Sequence, residues 1–158
     1  MRLWTDAISD SGYFDPRYTC DIDNSSPELR WGEPPPETAG FALIADDPDA
    51  LGGTLTHWVI YNIPKAVSHL PAGIPPQDSL PIGIKQGINS FGKLGYAGPC
   101  PPRKDSPHRY QFRLFALSLL PVLPSRLTAE QLVSVLKEYV ILETTITGLY
   151  QRQVERAG

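Results

Sequence analysis

The chain is poor in the residues that mark several common protein classes. Among 158 residues there are two cysteines, one methionine and three histidines. Cys20 and Cys100 stand eighty positions apart with no CxxC, which excludes a zinc ribbon and a thioredoxin-type redox centre. HExxH and GxSxG are both absent, so neither a zincin nor a nucleophile-elbow hydrolase is indicated. No run of about 18 apolar residues occurs, and no membrane span is expected. The start, Met1-Arg2-Leu3-Trp4-Thr5-Asp6, lacks the apolar stretch of a signal peptide. A cytoplasmic protein is the expectation, and with it two free thiols rather than a disulfide. The 14 basic residues are scattered and the net charge is -3, so no basic stripe suits nucleic acid.

What the chain does have is proline. It carries 17, about twice the usual share of ~5%. Proline fits badly inside helices and central strands, so stiff loops must separate the ordered elements. The hydrophobic fraction of 41% is far above the disordered range. The length suits one domain spanning residues 1–158.

Phe41 to Ala45 reads as a short buried strand that stops at Asp46-Asp47-Pro48-Asp49, where turn residues break it. Thr54 to Ile63 is rich in β-branched and aromatic residues and apolar on both faces, which predicts a central strand covered on both sides. Residues 64–107 hold nine prolines and six glycines and read as irregular, and so long a loop in a compact domain is usually functional. Tyr110 to Ser118 resumes as a strand. Thr128 with Gln131 forms a capping box that opens a helix, with Leu132, Val135, Leu136, Tyr139 and Val140 along its apolar face. Thr144 to Tyr150 reads as a returning strand. The sum is a β-rich domain with few helices.

Three segments place polar residues beside buried strands. Asp46-Asp47-Pro48-Asp49 is explained by a turn alone, but period-2 alternation would put Asp47 on the face of Phe41, Leu43 and Ala45. His57 lies inside the central strand, in step with Leu55, Val59 and Tyr61. If buried it needs a partner, for which Asp47 is the candidate. Gly98-Pro99-Cys100-Pro101-Pro102 makes a stiff wall ahead of His108-Arg109-Tyr110, where His108 and Tyr110 face one side and Arg109 the other. Two imidazoles and a phenol can donate to an oxyanion. A carboxylate can orient one imidazole and favour its cationic form. The same residues could serve a hydrolase, directly or as an open site of two histidines and an aspartate on zinc. Cys100 beside His108 could be a nucleophile, although its flanking prolines favour a structural thiol.

At these positions the sequence resembles the phosphatidylethanolamine-binding (Raf kinase inhibitor-like) family. Asp47-Pro48-Asp49-Ala50, His57 with the strand to Asn62, and Gly98-Pro99-Cys100-Pro101-Pro102 followed by His108-Arg109-Tyr110 match its motifs in order and spacing. Tyr18-Thr19-Cys20-Asp21, Ser26-Pro27, Trp31, Asn89, Phe91-Gly92-Lys93 and Gly95-Tyr96 resemble its bacterial and archaeal branch. Leu51 stands where a proline commonly follows the first motif. Lys104-Asp105-Ser106-Pro107 stands where glycine is common, so the rim should differ in shape while the floor persists.

The resemblance implies a mostly β fold, a large central sheet packed with a smaller one, and one or two peripheral helices. It implies a non-enzymatic pocket carried by Asp47, His57, His108 and Tyr110 and walled by Pro101 and Pro102. That pocket would take a small anion or phosphorylated ligand such as a phospholipid head group, with no cofactor and no metal. Eukaryotic relatives act by binding kinases or transcription factors, and some relatives inhibit serine proteases. A kinase or protease is therefore the partner class implied, and dimers in this branch imply a homodimer.

Overall fold

The computed structural model describes residues 1–153. The strands fall into two antiparallel sheets. The smaller contains β1 (Arg2–Trp4), β2 (Leu29–Gly32) and β5 (His69–Leu70), in the order β1-β2-β5. The larger contains β3 (Gly40–Asp47), β4 (Leu55–Pro64), β6 (Lys85–Gln86), β7 (His108–Leu117) and β8 (Val140–Tyr150), in the order β6-β4-β3-β7-β8. Among the described residues one helix, α1 (Ala129–Leu136), completes the regular structure, with 3-10 turns at Pro16–Tyr18 and Pro81–Gly83. The mostly β architecture expected from the sequence is the one observed.

The larger sheet is the middle layer of three. On one face Phe41, Leu43, Phe112 and Leu114 pack with Leu3, Leu29 and Trp31 of the smaller sheet. On the other, Ala42, Ile44, Val59, Tyr61 and Leu117 pack against Leu132 and Leu136 of α1. A strand covered on both faces has no reason to alternate, and all eight residues of β3 are buried. That explains the unbroken apolar run from Phe41 to Ala45. β3 does not stop there, however. It continues through Asp46 and Asp47, because each carboxylate finds a cationic partner on its own face, as described below.

The helix is shorter than its apolar spacing suggests. Thr128 and Gln131 form the capping box in both directions, with Gln131 N–H donating to Thr128 Oγ1 at 3.2 Å and Thr128 N–H to Gln131 Oε1 at 3.0 Å. The far end is different: Val140 pairs with Leu117 as the first residue of β8. Pairing along β7 gives the β-branched Val140-Ile141 run more than another helical turn would. The 64–107 segment is irregular but tied down. Gln86 accepts from Trp58 Nε1 at 2.8 Å and donates to the carbonyls of Pro75 and Gln77, both at 2.8 Å.

The cysteines overturn one expectation. Cys20 and Cys100 form a disulfide, with 5.5 Å between their Cα atoms. Local backbone contacts bring them together. Cys20 N–H donates to the Pro99 carbonyl at 3.2 Å, and Gly98 N–H donates to Asn24 Oδ1 at 2.7 Å. The approach demands glycine at 98, where a Cβ would lie 2.4 Å from the Tyr18 carbonyl oxygen. The expectation of free thiols followed from compartment, not from distance, and the geometry decides otherwise. Protein purified with an alkylating agent present should therefore show no free thiol. Replacing both cysteines by serine should lower unfolding stability by about 4 kcal/mol in a denaturant titration, the loop-closure value for a ring of this size. A full count of two thiols, or an unchanged midpoint, contradicts the bridge.

Candidate functional site

The pocket is assembled where β3 ends and β7 begins. These neighbours run antiparallel with Asp46 opposite Gln111, so Asp47 falls beside Tyr110 and diagonal to His108. Asp47, His108 and Tyr110 are all buried. His57 joins them by a different route. Between the pairs Ala45–Trp58 and Asp46–Thr56, β4 has one residue more than β3, and that residue is His57. The bulge resets the alternation. Leu55 and His57 line the pocket, whereas Val59 and Tyr61 pack under the helix on the opposite face. Simple alternation in step with Val59 and Tyr61 would have turned the imidazole away.

The resulting cavity has a volume of about 190 Å³. Asp47, His57, Pro101, Pro102, His108 and Tyr110, the residues singled out from the sequence, all line it. Leu51, Leu55 and Phe91 add apolar wall, and Cys100 brings the disulfide to the rim. The rings interlock: His57 meets Tyr110 edge to face at 5.3 Å and Phe91 at 5.5 Å, and His108 stacks on Tyr110 at 6.3 Å.

The two histidines are in different electrostatic states. Asp47 pairs with His108, not with His57: His108 Nδ1 lies 2.6 Å from Asp47 Oδ2. His108 Nε2 lies 2.9 Å from Asp105 Oδ2. Burial opposes charge on this ring, but the two carboxylates outweigh it and raise its pKa. With a carboxylate oxygen within hydrogen-bond distance of each nitrogen, the ring is placed to donate from both, as the imidazolium form does. Burial lowers the pKa of His57, against the raising effect of its bond to Ala97. Its Nδ1 is 2.6 Å from the Ala97 carbonyl oxygen, which can only accept. Nδ1 therefore carries the proton, and a neutral ring leaves a lone pair on Nε2. That atom is buried and has no partner. Burial, then the Asp47 carboxylate, pushes the Tyr110 phenol well above its usual pKa and keeps it protonated.

Two further ion pairs frame the site. Asp49 is clamped by Arg109 through bonds of 2.8 and 3.0 Å, and the guanidinium holds its carboxyl down to about 2. On the far face Asp46 pairs with Arg113 at 2.8 Å. Asp105 was not foreseen as a site residue. Its only sequence signal is that an acidic residue lies three positions before His108 in a loop.

The arrangement bears on the hydrolase alternative. Among the described residues no group of three or more histidine, cysteine, aspartate or glutamate side chains converges as metal ligands. Both nitrogens of His108 and one of His57 already have hydrogen-bond partners, which leaves one imidazole lone pair rather than a ligand set. Cys100 is oxidised and offers no thiolate. His69 lies away on the smaller sheet, 3.1 Å from Glu28.

The chain is similar to several known proteins. The family model described as phosphatidylethanolamine-binding protein matches residues 4–151. A UPF0098 protein of Methanothermobacter thermautotrophicus is 44% identical over 152 residues, covering 96% of this chain and 99% of that protein. One from Aquifex aeolicus is 44% identical over 136 residues, covering 85% and 79%. The crystal structure of Escherichia coli YbcL, described as a new member of the mammalian PEBP family, superposes with a TM-score of 0.88 at 32% identity, covering 96% of this chain and 98% of that one. A Chlamydia trachomatis homologue, described as a putative phosphatidylethanolamine-binding protein homologue, superposes with a TM-score of 0.85 at 31% identity, covering 96% and 97%. The family match and these relatives lead to one conclusion: the chain belongs to the phosphatidylethanolamine-binding protein family.

Proposed function

We propose that the protein is a non-enzymatic binding protein whose pocket takes a small oxyanion, either free phosphate or a head-group-like phosphate monoester. The observation that supports this most is the pairing of a cationic His108 with a neutral His57 whose Nε2 lone pair is unpartnered. A ligand that satisfies both needs a negative oxygen and a proton to donate. A singly protonated phosphate has both, and phosphate monoesters carry that proton up to a second pKa of about 6. The cavity, about 190 Å³, suits a head group rather than a whole lipid.

The residues lining the pocket include no serine, threonine or free thiol that could act as a nucleophile, which favours binding over hydrolysis. The 64–107 segment is pinned by Gln86 and by Asn89, which donates to the Gly95 carbonyl at 3.0 Å. That speaks against an extended protease-binding loop. Regulation of a kinase or other partner, and a homodimer, remain proposals drawn from the family. No described helix is long and apolar enough to cross a membrane. The disulfide weakens the case for a reducing cytoplasm.

Two predictions follow from the ring states. Phosphate should bind with a Kd on the order of 1 mM, about 4 kcal/mol, since few hydrogen bonds form in a wet site. An NMR titration should move the ring protons of both His57 and His108. Unchanged shifts of both at high phosphate would remove the anion reading. The second concerns Asp47→Asn, which keeps the shape and removes the charge. His108 should then titrate lower than in the wild type. Well below the lowered variant value the ring is protonated in both proteins, whereas between the variant value and the raised wild-type value only the wild type is cationic. Phosphate binding should therefore weaken more at about pH 7.5 than at about pH 5. If the variant binds more tightly at both values, repulsion between Asp47 and the anion dominates and the role given to Asp47 is wrong.

A further inference from the structure

We infer that Asp105 is a built-in occupant of the pocket's cationic donor, a carboxylate that an incoming anion has to displace from His108. The inference rests on the anion-binding reading and adds a residue that sets how tightly anions bind. His108 has two N–H groups with different surroundings. Nδ1 points inward to Asp47, where both side chains are nearly inaccessible, at 7% and 3% exposure. Nε2 points to Asp105, whose side chain is 31% exposed. The inner bond is structural. The outer one is where a soluble anion can arrive, and Asp105 Oδ2 already sits there at 2.9 Å.

The loop that carries Asp105 is built to hold it in place without burying it. Asp105 N–H donates to the Pro102 carbonyl at 3.0 Å, so the chain turns directly off the proline wall of the pocket. Gln151 Nε2 donates to the Asp105 carbonyl at 3.1 Å. Arg103 donates to the Gln153 carbonyl at 2.8 Å. These contacts fix the backbone and leave the carboxylate able to swing into solvent. The groups facing His108 are then Asp47 from β3, Tyr110 from β7 and Asp105 from this loop, with the Asp49–Arg109 pair just outside.

The pair joins a buried ring to a partly exposed carboxylate, and is worth at least the factor of roughly two to five of a surface pair. The apparent affinity of the pocket falls by the fraction of time His108 is free. Competition of this kind lowers the affinity of every anion that uses His108 Nε2 by the same factor. Phosphate still outbinds a simple carboxylate, because it also presents a proton to His57 Nε2, a contact that a carboxylate does not make.

The test uses the full chain in four forms: wild type, Asp105→Asn, Asp105→Ala and Glu138→Gln. Glu138 is exposed in the turn between α1 and β8, so its variant reports the effect of removing one negative charge elsewhere. Calorimetric titrations with inorganic phosphate and with acetate are run at about pH 5.5, one unit below the reference histidine value, so that loss of His108 charge does not confuse the comparison. Phosphate should bind the Asp105→Ala protein at least roughly two- to fivefold more tightly than the wild type, Asp105→Asn should lie between them, and Glu138→Gln should match the wild type. Acetate affinity should rise by the same factor. Without ligand, the NMR titration midpoint of His108 should be lower in Asp105→Ala than in the wild type.

Wild-type phosphate binding with no gain in either Asp105 variant overturns the inference and leaves the anion pocket standing. An equal gain in Glu138→Gln reduces it to bulk charge and overturns it. An unchanged His108 midpoint in Asp105→Ala overturns it by showing that the contact is absent in solution. Failure of all four proteins to bind phosphate overturns the anion pocket and this inference together.

Discussion

Two carboxylates sit side by side at the end of a fully covered central strand. Leaving either one ionised and alone there would cost several kcal/mol. Neighbouring residues of a strand point to opposite faces, so Asp46 and Asp47 need separate partners on separate layers. One strand supplies both. β7 sends Arg113 to Asp46 on the helix face and His108 to Asp47 on the inter-sheet face. That requirement fixes the register of β3 against β7, because a slip of one residue would exchange the faces and strand both acids. It also explains why a sequence that looks like a turn is still strand. The pocket's main cation is thus a consequence of the scaffold's own need for charge compensation.

The second imidazole comes from an irregularity. Without the extra residue in β4, His57 would lie on the helix side with Val59 and Tyr61. The bulge turns it toward Tyr110 and sets its Nδ1 against a loop carbonyl. The same loop region contributes the proline wall, so backbone groups and fixed φ angles determine much of the pocket. Only one heteroatom of the two imidazoles is left without a partner, and the electrostatic contrast between the rings follows from that difference in bonding.

Some of this was legible in the sequence for simple reasons. Period-2 alternation put Asp47 with Phe41 and Leu43, and His108 with Tyr110, and both hold. The capping box at Thr128 holds because it is local. The face of His57 was not legible, since nothing in Thr56-His57-Trp58 marks an inserted residue. β1 and β2 were missed because three or four residues carry too little pattern to reveal a strand. The helix was drawn too long because Tyr139 and Val140 fit its spacing, while the pairing of Val140 with Leu117 is a long-range fact. The partner of Asp47 was assigned to the nearer histidine in sequence, although the register favours the farther one. The disulfide was hidden by an assumption about compartment that sequence spacing cannot test.

The bridge from Cys20 to Cys100 divides the chain into a short N-terminal arm with β1, a closed covalent ring and an open C-terminal tail. The ring contains β2, β3, β4, β5 and β6, and with them Asp47 and His57. The tail contains β7, α1 and β8, and with them Asp105, His108 and Tyr110. The tail threads between ring and solvent, since β7 lies beside β3 and β8 forms the outer edge of the sheet. A single backbone cut anywhere between the two cysteines, including in the proline-rich stretch before Cys100, would open the ring without releasing a fragment. Both halves of the pocket would stay on one covalent molecule, joined through the rim that Cys100 shares with Pro101.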